Sequence, residues 1–225
     1  MNSFRAIVSS SSPIEASLIA DITKTCGVMF SEIYGTTETA CATYLEPLDG
    51  NIQSVGKAIP GSVVRIKDQG KDGIGEITIK NDCMLDGYIG ISLDDFLTPD
   101  GFFMSGDLGK IDDDGYLYYY GRKRESFNVL GKLIYPSQIE AAVLDLGLAA
   151  KCQVYPVQTS ILGTLIGLII ESDSQEQCSQ TGAALRKILP KEYLPAKILN
   201  IPEFPLLPNG KQDRVAVSKL ALERG

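Results

Sequence analysis

The chain has 225 residues, 44% hydrophobic and 22% charged, with 21 basic against 28 acidic side chains and a formal charge of −7. That describes a globular chain of one large or two smaller domains, and it disfavours general polyanion binding, so no nucleic-acid partner is expected. Histidine is absent, which excludes Ser-His-Asp and Cys-His catalysis, imidazole general bases and His-containing zinc sites.

Any chemistry must therefore run on Lys, Arg, Asp, Glu, hydroxyls, backbone dipoles or a bound ion. The five cysteines, Cys26, Cys41, Cys83, Cys152 and Cys178, are odd in number and never spaced CxxC. A reduced, cytoplasmic compartment with mostly buried thiols fits that pattern. The longest apolar run, ILGTLIGLII at 161–170, is too short to span a bilayer and reads as a buried strand; MNSFRAIVSS lacks a secretory core.

In chain order, FRAIV (4–8) reads as a strand. SPIE then opens a helix with a capping box: Ser12 as N-cap, Pro13 at the first helical position and Glu15 three residues after the cap. Gly27 is a natural stop for that helix. VMFSEI returns as a strand, so 4–33 form a β-α-β unit, and ligands bind beyond the C-terminal ends of such strands. There lies IYGTTETA (33–40), with Thr36, Thr37, Glu38 and Thr39 in a row. Hydroxyls beside one carboxylate suit a phosphate and its metal ion, but Thr and Glu also favour the first turn of a helix. On its own the stretch favours the helix start.

From about 50 to 120, SVVRIK, GEITIK and YLYYYGR are separated by Gly/Asp turns and predict a small antiparallel sheet or barrel. After GRKRE the pattern becomes α+β. FNVL is a strand, and PSQIEAAVLDL is a helix capped by Ser137 with Glu140 three residues on. AKCQVYPV and LGTLIGLIIE are strands, EQCSQTGAALRKIL is a helix and AKILNI is a strand. The boundary is set at Lys123–Arg124. IDDDGYLYY resembles a calcium loop, but Lys110 stands where an acid is required, so an Asp-rich turn is expected.

Five motifs remain, in one order: YGTTET (34–39), GEITIKNDCMLDGY (75–88), GDLGKIDDDGYLYYYGRKRE (106–125), GKLIYPSQIE (131–140) and LPNGKQDR (207–214). Together they closely resemble the ANL superfamily of adenylate-forming enzymes, over nearly the whole chain. That family comprises acyl- and aryl-CoA synthetases, nonribosomal-peptide adenylation domains and luciferases. The resemblance implies an α+β chain in which residues 1–123 are the end of the AMP-binding domain. Within them, 1–50 would be an α/β edge and 51–123 a β-barrel-like subdomain; 124–225 would be the small mobile C-terminal domain.

It also implies roles. Thr37 would contact the α-phosphate of ATP, Glu38 would hold Mg²⁺, and Tyr34 would lie near the adenine. Asp107 and Arg122 would reach the ribose, and Lys211 would bridge carboxylate and phosphate during adenylation. Arg124 would be the hinge, and Gly131 would line the pantetheine channel. The implied partners are a small carboxylic acid and the thiol of coenzyme A or of a carrier protein's phosphopantetheine. These roles also make chemical sense on their own: a carboxylate accepts a pair of hydrogen bonds from a cis-diol, and a lysine suits a phosphorus centre gathering charge.

Departures from the family pattern accompany the matches. Ser10, Ser11 and Ser12 stand where the family usually has Gly-Gly-Ala, and serine restricts close backbone approach to a ligand. Arg124 replaces the usual Asp or Lys of the hinge. The family's phosphate-gripping loop lies far upstream of YGTTE, whereas 33 residues precede Tyr34 here. The chain therefore looks like the last part of a family member. Three readings stand side by side: a portion of an acyl ligase, a non-enzymatic remnant that binds nucleotide or a protein, and one subunit of a split enzyme. Self-association or pairing with a polypeptide that supplies the missing portion is expected.

Overall fold

The structure, a computed structural model, describes residues 4–10, 14, 16–46, 51 and 53–224. The chain divides into two compact units, Met1–Arg124 and Glu125–Gly225.

The first unit opens with β1 (Ala6–Ser9), α1 (Ala16–Cys26) and β2 (Met29–Thr36). β1 and β2 pair in parallel, from Ala6 opposite Met29 to Ser9 opposite Glu32. α1 stops at Gly27, which has φ +61 and donates its N–H to Thr23 O at 3.0 Å, the left-handed helix end that glycine favours. The expected capping box of Ser12, Pro13 and Glu15 lies outside the described residues. β2 runs on through Tyr34 and Gly35 and turns back as β3 (Ala40–Tyr44), which pairs with β4 (Lys57–Ala58). The hydroxyl-rich stretch is therefore a hairpin turn and not a helix start.

β5 (Ser62–Lys67), β6 (Gly75–Asn81), β9 (Phe103–Ile111) and β10 (Leu117–Arg122) form an antiparallel sheet in the order β10-β9-β6-β5. Between β6 and β9, β7 (Gly87–Tyr88) and β8 (Ile91–Ser92) make a separate two-stranded hairpin. The expected barrel is not closed: β5 and β10 are the outer strands of an open sheet. Alternating strand patterns report a one-sided sheet equally well with or without closure. Ile77, Ile79, Leu117 and Ala42 are buried together beneath Tyr34 and Tyr119, each isoleucine contributing roughly 1.5–3 kcal/mol by leaving water.

The second unit comprises β11 (Phe127–Val129), β12 (Lys132–Ile134), α2 (Pro136–Asp145), β13 (Cys152–Thr159), β14 (Gly163–Glu171), α3 (Gln175–Ile188), β15 (Lys197–Ile201) and α4 (Arg214–Glu223). β14 is central, antiparallel to β13 and parallel to β15. Its unbroken apolar run reflects burial on both sides. Ile166, Leu168 and Ile170 pack with Ile139 and Val143 of α2 and Leu185 of α3, while Ile169 packs with Val217 and Ala221 of α4.

Two local expectations are corrected here. Ser137 does not cap α2: Tyr135 holds the cap position, with Pro136 at the start of the helix. Glu140 makes contacts described below rather than closing a capping box. The cysteines are all free thiols, but Cys26 and Cys83 are exposed, Cys41 is half-buried, and only Cys152 and Cys178 are buried. Among the described residues, no helix is long and apolar enough to cross a membrane.

Candidate functional site

In the first unit the β2–β3 turn is tied by its own hydroxyls. Thr39 is fully buried; its Oγ1 accepts the N–H of Thr36 at 3.3 Å and lies 3.1 Å from the Thr36 hydroxyl. Asn81 donates to Thr39 O at 2.9 Å, and Leu85 N–H donates to Glu38 O at 2.9 Å. Thr39 is thus a structural strap, while Thr37 is exposed at the tip and Glu38 is half-buried. Tyr88 donates its hydroxyl to Glu38 Oε1 at 2.5 Å. Burial opposes ionisation of Glu38. The Tyr88 bond, a backbone bond, the Thr36 hydroxyl and the charge of Arg122 outweigh it and hold the carboxyl below its usual range.

The close turn leaves no room for a side chain at 35. A Cβ on Gly35 would collide with the carbonyl oxygen of Ala40 across the hairpin, and backbone cannot yield as a flexible side chain does. Gly35→Ala is expected to destabilise the first unit by about 3 kcal/mol, read as a lower urea midpoint with the slope unchanged. A wild-type midpoint would show that the hairpin opens freely.

Asp107 lies inside β9 and is 2% exposed. Tyr34 donates its hydroxyl to Asp107 Oδ2 at 2.8 Å, and Arg122 Nη1 lies 3.0 Å from Oδ1. Burial and then the Asp107 charge push the Tyr34 phenol well above its usual range, so it stays a donor. The Tyr119 ring stands 6.0 Å from that of Tyr34. β10 carries a bulge between Tyr119 and Gly121, after which Arg122 stands directly opposite Asp107. Arg122 also donates to Ser105 O at 3.4 Å.

Beside this group opens a cleft of about 520 Å³ lined by Ser105, Gly106, Arg122, Lys123 and Arg124. Glu76 secures its wall, accepting the Gly106 N–H at 3.2 Å and pairing with Lys123 Nζ at 2.6 Å. Lys123, Arg124 and Glu125 form a turn of 3₁₀ helix. Among the described residues no three carboxylates or thiols cluster as metal ligands.

Glu32 precedes Tyr34 by two residues and so shares its side of β2. It is 7% exposed, and burial pushes its carboxyl from 4.5 up to about 7. A raised folded value favours the protonated form, so its stabilising contribution is complete below about 4.5 and is lost as pH rises through 7. Glu32→Gln is expected to be neutral at pH 4 and to stabilise at pH 8 by up to about 3 kcal/mol. Melting temperature against pH checks this; a pH-independent difference would contradict it.

In the second unit Gly131 (φ +82) follows Leu130 (φ +49) at the tip of the β11–β12 hairpin. Both central residues have positive φ, which suits the glycine and strains the leucine. Lys211 is exposed at the end of a tight loop. Leu207 N–H donates to Lys211 O at 2.7 Å, Lys211 N–H to Asn209 Oδ1 at 3.1 Å, and Leu206 bridges Gln212. Tyr34, Thr37, Glu38, Asp107, Arg122 and Arg124 thus lie in the first unit, and Gly131 and Lys211 in the second. Tyr88, Tyr119 and Glu76 carry no role in the sequence reading. Tyr88 meets Glu38 at a sequence separation of 50, and no local spacing could reveal that.

Residues 1–89 match the AMP-binding enzyme family. The chain resembles the C-terminal portion of the adenylate-forming ANL superfamily, as its motifs imply. It is 31% identical over 204 residues to the probable non-canonical nonribosomal peptide synthetase CymA of Salinispora arenicola, covering 82% of this chain and 3% of that one. It is 27% identical over 197 residues to 2-succinylbenzoate–CoA ligase of Staphylococcus epidermidis, covering 85% and 41%. The crystal structure of ATP-bound MatB from Rhodopseudomonas palustris matches with a TM-score of 0.81 at 26% identity, covering 95% of this chain and 44% of that one. The chain thus spans less than half the length of these relatives.

Proposed function

We propose that this chain supplies the nucleotide-facing edge and the small C-terminal domain of an ATP-dependent acid–thiol ligase. The observation that carries this reading is the buried Asp107, held by Tyr34 and Arg122 beside an open basic cleft. An ionised carboxylate in that setting is preorganised to accept both hydroxyls of a ribose, with Arg122 alongside. Thr37, exposed at the hairpin tip, offers its hydroxyl to the α-phosphate. Glu38, kept ionised, fits Mg²⁺, which binds through one or two carboxylates together with a nucleotide's own phosphates. When bound, the ion neutralises phosphate charge.

In the first half-reaction the acid's carboxylate oxygen attacks the α-phosphorus. The bond to the β-phosphate breaks and pyrophosphate leaves, giving acyl-AMP. In the second, the thiol sulfur of coenzyme A or a carrier protein attacks the acyl carbon and AMP departs. Lys211 would stabilise charge in the first, Gly131 would border the pantetheine in the second, and residues 124–225 would swing about Arg124 between the two. A cytoplasmic setting suits these substrates.

A complementing polypeptide is part of the proposal. The outer strand β1 leaves Val8 exposed, with Phe4 before it and Met29 of β2 beside it. Parallel sheets are normally covered on both faces and paired at such edges. The 225 residues alone are therefore expected to bind AMP weakly and to release no pyrophosphate. Measurement against a panel of acids, with and without a polypeptide carrying the upstream part of the AMP-binding domain, tests this. Acid-dependent release by the chain as a strict monomer would overturn the need for a complement. Absence of any AMP binding would favour the non-catalytic, protein-binding reading.

A further inference from the structure

Arg214 stands at the first position of α4, three residues after Lys211, and each of its three guanidinium nitrogens has an acidic partner. Nη2 and Nη1 reach Glu140 Oε1 and Oε2 at 2.8 and 3.2 Å, and Nε lies 3.3 Å from Glu125 Oε2. The side chains of Arg214 and Glu125 are each 31% exposed and that of Glu140 is 14% exposed. Glu140 also accepts the Val154 N–H at 2.8 Å, so its position is set by β13 as well as by α2. The Arg214 carbonyl accepts Gln153 Nε2 at 2.9 Å, and Gln212 donates to Gln153 Oε1 at 2.8 Å. Asp213 caps α4 through Ala216 N–H and donates its own N–H to Pro205 O at 2.9 Å. Gln212 and Arg214 at the root of the Lys211 loop are thus tied to this hub, and Asp213 between them is fixed by the helix cap and Pro205.

Anchoring α4 does not require the hub, because Val217 and Ala221 already bury against the sheet. Half-buried ion pairs are poor sources of net stability, and their better-attested use is to select one arrangement over others. A forked, planar guanidinium does this where a lysine's point charge cannot. The partner on the far side is informative: Glu125 is the residue immediately after Arg124, within the same 3₁₀ turn.

We propose that Arg214 is a positioning residue that couples the Arg124–Glu125 junction to the loop presenting Lys211. A change of backbone at the junction moves Glu125, releases one arm of the fork and loosens the root of the loop. The inference rests on the reading of Lys211 given above, but the coupling can be measured without it.

The test is amide hydrogen exchange on the full chain, comparing Arg214→Lys, Arg214→Gln and Glu125→Gln with wild type. Exchange across 206–213 is expected to quicken about tenfold or more in all three, with Ile166–Ile170 of β14 unchanged; lysine does not restore protection. Equal acceleration in β14 would mean that Arg214 only supports packing. An unchanged loop in Glu125→Gln would mean there is no link to the junction. Either result overturns the proposal. Should the Arg214 variants fail to fold, Glu125→Gln, a conservative change at a partly exposed site, decides alone. In a complemented enzyme, Arg214→Lys should slow acyl-adenylate formation but add nothing to Lys211→Ala. Normal adenylation by Lys211→Ala, with loop exchange still coupled, would remove the role of Lys211 and leave the coupling standing.

Discussion

Lys211→Ala in a complemented enzyme is expected to slow acyl-adenylate formation about 10²–10³-fold, the effect of removing one preorganised donor from a centre gathering negative charge. Release of thioester from preformed acyl-adenylate should be nearly unaffected, because the proposed rotation about Arg124 then carries Lys211 away. The loop geometry suits this division. Lys211 is exposed, while the backbone beneath it is fixed by Leu207, Asn209 and Gln212, so truncation removes the charge without disturbing the fold. Single-turnover assays of each half-reaction decide: equal losses in both would remove the proposed role.

Asp107→Ala is expected to weaken AMP binding by the chain about 10²–10⁴-fold, since it removes an acceptor of two charge-assisted hydrogen bonds worth roughly 1.5–3 kcal/mol each. Calorimetry with AMP and 2′-deoxy-AMP separates this from general damage. Wild type should prefer the ribonucleotide, and the variant should not distinguish the two. A variant that binds weakly yet still prefers AMP would show that the ribose is read elsewhere. Some stability is also lost, because the Tyr34 hydroxyl loses its acceptor and Arg122 its counter-charge.

The elements with strong periodicity were legible in the chain, and those defined by distant partners were not. β14 and α3 follow from uninterrupted apolar and helical patterns, and the Asp112 turn from its Asp-Gly chemistry. Asp112 indeed accepts the N–H groups of Asp114 and Tyr116. β9 escapes the eye because Gly106, Asp107, Gly109 and Lys110 break its alternation. It is an inner strand of its sheet all the same, paired on both sides by β6 and β10, and those pairings hold it extended. The hairpin at Thr37–Thr39 escaped for a related reason. Its hydroxyls satisfy backbone donors within a turn much as they would at a helix start, and only the return strand β3 distinguishes the two. The candidate residues were legible through motif order, whereas their mutual contacts arise from sheet register, which spacing does not encode.

That register makes chain length, at one point, as consequential as chemistry. In an unbroken β9–β10 ladder the pairing of Tyr119 with Gly109 would bring Gly121 opposite Asp107 and carry Arg122 one step beyond. The extra peptide at Tyr120 returns the arginine to the acid's side. With Tyr120 removed, the pairs Tyr119–Gly109, Gly121–Leu108 and Arg122–Asp107 would be consecutive, so loss of that one residue should straighten the ladder and leave the arginine facing the acid. Among chains of this kind, a further residue added to the tyrosine run without a wider bulge would signal a separated Asp–Arg pair even where both residues were still present.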